Sequence, residues 1–171
     1  MIHASTALPS SVSTAAAARQ RLWVTNAYFA PQPGVLRGLS RAARRGVDVR
    51  LLLPAKSDMP ILRRAGHGSY AALLASGVRI YEYQPTMLHA KTLVADDWAV
   101  MIGSSNLDYR SYYFNAECNV LILDAETGAR MAKTYTEDLR HAVEITSEMW
   151  RQRPRLKKIG DSLARLLSPL L

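Results

Sequence analysis

The chain has 171 residues, 49% of them apolar and 21% charged, which is enough for one hydrophobic core and too balanced for a disordered chain. Its single cysteine, Cys118, excludes an internal disulfide and a cysteine-built zinc site, and points to a reducing, intracellular setting. The net charge of +8 suits an anionic partner, either nucleic acid or an anionic lipid surface, and no apolar run reaches the ~18 residues of a membrane span.

Residues 1–18 are rich in alanine, serine and threonine and carry no periodicity. With no basic segment ahead of an apolar one, they read as a poorly ordered lead-in, not a secretory signal. Arg21 to Ala30 is aromatic and β-branched and stops at Pro31, so it predicts a strand. Val35 to Arg45 predicts a helix, with Leu36, Leu39, Ala42 and Ala43 on one side and a solvated row of Arg37, Arg41, Arg44 and Arg45 on the other; Gly46 caps it. Val47 to Leu53 predicts a strand buried on both faces. Met59 to Ser76 is a second helix closed by Gly77, and Val78 to Tyr83 a third strand ended by Pro85. His67, between Gly66 and Gly68, reads as an exposed residue, and His3 and His141 suggest no role.

This β-α-β-α-β order predicts an α/β fold with a mixed, mostly parallel β-sheet flanked by helices. Beyond it the rhythm changes. Ala90 to Ala95 and Trp98 to Ile102 predict a hairpin around Asp96-Asp97. Asn106 to Asn115 is a polar, aromatic loop or short helix, Asn119 to Leu123 a strand, and Ala125 to about Glu148 one long helix. Cys118 beside that strand reads as a small buried hydrophobe. Residues 19–150 make one unit, and residues 151–171 a separate basic tail.

Residues 89–106 concentrate the chemistry. His89 and Lys91 stand two apart, so in extended chain both side chains point to one face. After the hairpin, Gly103-Ser104-Ser105-Asn106 sets a glycine that permits close approach beside neutral donors. A lysine, an amide and hydroxyls around one point suit a phosphate oxyanion. An imidazole that titrates near neutrality can attack phosphorus or donate a proton. No carboxylate cluster for Mg²⁺ is visible, so the reading is metal-free and needs no cofactor.

The pattern H-x-K-x4-D-x6-G-S-x-N, at His89, Lys91, Asp96, Gly103, Ser104 and Asn106, resembles the signature of the phospholipase D superfamily. Its flanks, Ile80 to Pro85, Asn106 to Ser111 and Asn115-Ala116-Glu117, are similar to the carboxyl-terminal half of bacterial cardiolipin synthases. The resemblance implies a phospholipase D-like half-domain and phosphatidyl transfer or phosphodiester cleavage through a phosphohistidine. His89 would be nucleophile or general acid; Lys91 and Asn106 would grip phosphate oxygens, with Ser104 and Gly103 in support. Glu117 would orient a histidine, and Asp96 would be structural, at the hairpin turn. Tyr109 and Arg110 stand where they could touch a headgroup.

The family pairs two such motifs, and this chain has one. In-line displacement needs a nucleophile on one side of phosphorus and an acid on the other. A homodimer could supply both, as could a second polypeptide half; otherwise the chain is an inactive, truncated half. The implied substrate is an anionic phospholipid of the phosphatidylglycerol type, at the cytoplasmic face of a bacterial inner membrane. A homodimeric nuclease acting on nucleic acid is the alternative. In the tail, Leu156, Ile159, Leu163, Leu166 or Leu167 and Leu170 recur at helical spacing, with a positive lead-in from Arg151 to Lys158, which suits a helix lying in an anionic membrane interface.

Overall fold

The computed structural model describes residues 2–5 and 16–170. Eight strands form one sheet: β1 (Ile2–Ser5), β2 (Arg21–Thr25), β3 (Asp48–Pro54), β4 (Arg79–Tyr83), β5 (Thr92–Ala95), β6 (Ala99–Gly103), β7 (Asn119–Leu123) and β8 (Ala142–Ile145), in the order β1-β7-β6-β5-β2-β3-β4-β8. The helices are α1 (Pro33–Arg44), α2 (Pro60–Ala75), α3 (Tyr109–Tyr113), α4 (Ala125–Leu139), α5 (Ser147–Gln152) and α6 (Arg155–Leu166), followed by a 3-10 turn at Ser168–Leu170.

The β-α-β-α-β unit is as expected. β3 lies between parallel neighbours β2 and β4, and Leu51 and Leu52 are both completely buried because helices cover both faces. On one face, Val35, Leu39, Tyr70 and Leu73 of α1 and α2 pack on Leu22, Val24, Leu51 and Ile80. On the other, Ala132 and Tyr135 of α4 pack on Trp23, Leu52, Tyr81 and Val94, with Trp23 and Tyr135 stacked at 5.2 Å. The sheet is mixed, but parallel pairing is confined to β2-β3-β4; every other neighbour pair is antiparallel, which corrects the expectation of a mostly parallel sheet.

Two further expectations give way. The helix expected to run from Ala125 to about Glu148 ends at Leu139, and Ala142–Ile145 turns back as β8 along β4, satisfying the ladder groups of an otherwise bare edge. Within the expected lead-in, Ile2–Ser5 is a strand along β7; residues 6–15 lie outside the described region.

The tail forms α6, started at Pro154 and laid against α2. Its buried side is the polar one. Asp161 and Ala164 face inward, while Leu156, Ile159, Leu163, Leu166 and Leu170 are 56–82% exposed. Arg165 donates to the Gly68 carbonyl and Ser69 Oγ, and Asp161 accepts from Arg64 and Arg153. A helix docked through charge and displaying its leucines is the reverse of ordinary amphipathic packing.

Candidate active site

β5 begins at Thr92, so His89 and Lys91 sit on the extended segment leading into it, not within the strand. The ladder still reaches them: the Gly103 N–H donates to the Lys91 carbonyl at 3.1 Å. That bond holds the turn after β6 against the base of Lys91. Gly103 is the residue that allows it, because a Cβ there would run into Asn119 Oδ1 and the Cys118 carbonyl.

His89 is exposed and Lys91 half-buried. Lys91 Nζ lies 3.0 Å from His89 Nδ1 and donates to the His89 carbonyl at 3.2 Å. Burial lowers the pKa of the Lys91 ammonium, opposed by the negative charges of Glu117 and Asp108. The edge of Tyr28 meets the His89 ring, centroids 5.7 Å apart, and the Tyr28 hydroxyl donates to Asp58 at 2.8 Å. An aromatic edge contact of this kind fixes the ring plane of an otherwise solvent-facing histidine.

Ser104 and Glu117 are bonded to each other, and Glu117 feels the charge of Lys91. Ser104 Oγ donates to Glu117 and accepts from the Cys118 N–H at 3.0 Å, and Asn115 Nδ2 donates to Glu117 Oε1 at 3.3 Å. Burial pushes the Glu117 carboxyl up, yet these donors, Ser111 and the charge on Lys91 outweigh it, so its pKa is lowered and it stays ionised. The Asn106 N–H donates to Ser111 Oγ, while Asn106 Oδ1 is buried and takes no hydrogen bond. Its carboxamide oxygen is therefore uncommitted. Asp108 caps α3 by accepting from the Ser111 N–H at 2.7 Å, and burial raises its pKa.

Hydrogen bonds and charge thus bring together His89, Lys91, Gly103, Ser104 and Glu117, and the Asn106 backbone joins them through Ser111. They do not bring in Asp96, which stands at the far end of β5. There its carboxylate accepts from the backbone N–H groups of Arg19, Gln20 and Arg21 at 2.8–3.1 Å, and its φ of +51° makes the hairpin turn. Among the described residues no His, Cys, Asp and Glu side chains cluster to hold a metal ion.

Two side chains differ from expectation. Cys118 is exposed, because the neighbouring Asn119 takes the inward position and bonds Ser105 Oγ at 2.7 Å. His67 is buried at 8% exposure, 3.1 Å from Glu82 Oε1 and 3.9 Å from Asp161 Oδ2. Sequence reasoning missed this cluster, which also takes in Arg63, Tyr70, Arg153 and Trp150. The one available signal was Glu82, a charged residue in register with buried Ile80 on β4. Tyr28 and Asp58, which touch the site, were also missed.

Comparison with known proteins bears on the fold and the family. Residues 12–141 match the family model described as the cardiolipin synthase phospholipase D-like domain. The chain is 40% identical over 154 residues to a cardiolipin synthase of Geobacillus kaustophilus (strain HTA426), covering 90% of this chain and 31% of that one. It is 40% identical over 154 residues to cardiolipin synthase A of Pseudomonas putida (strain ATCC 700007), covering 90% and 32%. The chain therefore spans about a third of the length of these curated relatives. Among solved structures, Nuc from Salmonella typhimurium, a phospholipase D family member, superposes with a TM-score of 0.75 at 16% identity over 85% of this chain and 98% of that one. Phosphatidylserine synthase of Haemophilus influenzae Rd KW20 superposes with a TM-score of 0.77 at 11% identity over 99% and 48%. The chain belongs to the phospholipase D-like domain family of the cardiolipin synthases.

Proposed function

We propose that the chain carries one half of a phosphatidyl-transfer site acting on phosphatidylglycerol-type lipids, completed by a second motif from a dimer mate or a partner half. The observation that carries this reading is the His89–Lys91 pair, with ionised Glu117 in charge contact with Lys91. An imidazole nitrogen of His89 attacks phosphorus, and the bond from phosphorus to the headgroup oxygen breaks. The histidine of the second motif gives its proton to that oxygen. Lys91 and Asn106 hold the non-bridging oxygens, where negative charge gathers in the transition state. An acceptor alcohol then attacks the phosphatidyl-histidine and passes its proton to the second histidine, which frees His89. The two histidines exchange roles in a symmetric pair. Ser104 fixes Glu117, and Glu117 orients a histidine.

Residues 19–150 serve as the catalytic half-domain and residues 151–171 as the membrane contact. The leucines exposed along α6 and the basic residues Arg151, Arg155, Lys157 and Lys158 support that contact, and a peripheral position at the cytoplasmic face of the membrane is part of the proposal. No helix of the described residues is long and apolar enough to cross a membrane. The test is conversion of phosphatidylglycerol vesicles by the full chain, alone and mixed with an amino-terminal half of a cardiolipin synthase. Conversion in either case supports the reading; failure in both refutes it. A nuclease is the second reading, favoured by the +8 charge, and cleavage of DNA with no action on lipid would establish it instead.

A further inference from the structure

A cavity of about 200 Å³ lies between α2 and the junction of α5 with α6, well above the about 10–15 Å³ that one water needs. Trp150, Arg151, Arg153, Lys158, Asp161 and His67 line it, and none of them belongs to the site around His89. Three cations thus face one carboxylate. That carboxylate is already engaged, since Asp161 accepts from Arg153 at 2.7 Å and from Arg64 at 3.4 Å. His67 is engaged as well, 3.1 Å from Glu82. The Arg153 guanidinium lies 3.8 Å from the centre of the Trp150 ring, which with Asp161 fixes the plane of its remaining N–H groups. Arg151 Nε donates to the Ser147 carbonyl and Lys158 Nζ to the Arg151 carbonyl, but neither has a carboxylate partner among the described residues. The first turn of α6 holds no acidic residue, so no side chain there offsets the positive end of the helix.

We infer that this cavity binds a phosphate group and is a second anion site of the chain. A fixed guanidinium fork matches phosphate oxygens, and the ammonium and the second guanidinium add charge that no protein carboxylate neutralises. A concave wall of one sign concentrates that field on whatever enters. A neutral or cationic ligand would leave the charge standing. Two sources share the chemistry: a free phosphate or phosphomonoester, and the phosphate of a lipid headgroup, which the exposed Leu156 and Ile159 of the same helix would bring alongside. The inference does not rest on the phosphatidyl-transfer reading, because the cavity shares no residue with that site.

The experiment is binding, so it does not depend on a complete catalytic site. The full chain, with ¹⁵N-labelled tryptophan and histidine, is titrated at constant ionic strength with inorganic phosphate and with glycerophosphoglycerol, a lipid headgroup without its chains. The Trp150 indole signal should shift and saturate, while those of Trp23, buried under α4, and Trp98, exposed at the hairpin, should not. Arg151→Gln with Lys158→Gln should weaken that binding about tenfold or more, whereas Arg155→Gln with Lys157→Gln, which removes the same charge outside the cavity, should leave it within about twofold. Saturation by inorganic phosphate alone assigns the cavity to a free phosphate or phosphomonoester; saturation by glycerophosphoglycerol assigns it to a lipid headgroup. A Trp150 signal that neither probe moves, or equal weakening in the two double variants, overturns the site. Glycerophosphoglycerol that moves the ring signals of His89 and not Trp150 also overturns it, and leaves the phosphodiester reading standing. Should the cavity variant unfold, the Trp150 titration of the unaltered chain decides.

Discussion

Asp96 belongs to the sequence signature yet stands roughly 20 Å along the chain from His89, at ~3.3 Å per extended residue. Its three backbone donors tie the start of β2 to the β5–β6 turn. Each such bond is worth about 0.5–1.5 kcal/mol net, and partial exposure weakens them, so Asp96→Ala should cost about 2–3 kcal/mol. Alanine also tolerates the left-handed φ poorly. Asp96→Asn keeps one acceptor and the tolerance, and should cost about 1 kcal/mol; Asp96→Gly relieves the backbone but loses every acceptor, and should fall between. Urea unfolding followed by tryptophan fluorescence reads the difference, and with a slope of about 2 kcal/mol/M the alanine midpoint should drop by about 1–1.5 M. Burial pushes the Asp96 carboxyl up, but its backbone donors and Arg21 outweigh this and leave its pKa lowered. Its ionisation-linked contribution is therefore complete above the unfolded value of about 3.9 and is lost as pH falls through the lower folded value, where the gap between variant and parent should narrow to the pH-independent part. An Asp96→Ala chain as stable as the parent would refute the reasoning. So would one that keeps its stability but loses glycerophosphoglycerol binding, since Asp96 would then act at the site.

Other outcomes follow from the same contacts. His89→Ala should leave the unfolding midpoint unchanged within about 0.5 kcal/mol, since the ring is exposed, while abolishing lipid turnover; a collapse of the fold would make the histidine structural. Gly103→Ala should destabilise by about 1–3 kcal/mol, because the new methyl meets Asn119 and the Cys118 carbonyl, and denaturant unfolding measures it. Asp161→Ala strips the partner from Arg64 and Arg153 in the α2–α6 contact and should cost about 1–3 kcal/mol, since both arginines keep solvent access, with limited proteolysis releasing α6 first. Burial pushes the Glu82 carboxyl up, but hydrogen bonds and charge from His67 and Arg63 outweigh it, leaving the pKa lowered. The parent's advantage over Glu82→Gln should therefore hold at neutral pH and shrink as pH falls below about 4, which acid titration of stability checks.

Sequence showed most clearly what depends on near neighbours. The hairpin at Asp96 and the helical spacing of Leu36 and Leu39 are set within a few residues, and each has its expected place in the fold. What escaped depends on distant partners. His67 is buried because Glu82 and Asp161, 15 and 94 positions away, meet it; between two glycines its sequence context suggests exposure. β8 exists because β4 offers a bare edge, although Ala142–Ile145 continues a helical composition. Cys118 faces outward because Asn119 finds Ser105, a pairing across β6 and β7 that no local pattern announces. Tyr28 reaches His89 across 61 positions by the same kind of long-range closure.

The most direct test of the central claim is the rate of phosphatidylglycerol turnover in vesicles, measured against concentration for the full chain and its His89→Ala variant, with and without a partner half. The account predicts no turnover by the variant chain alone. It also predicts that the parent's rate rises as the square of concentration where copies must pair, or appears only when the partner half is added. A parent and variant that convert lipid equally, or a parent that stays silent even with the partner half, would contradict it.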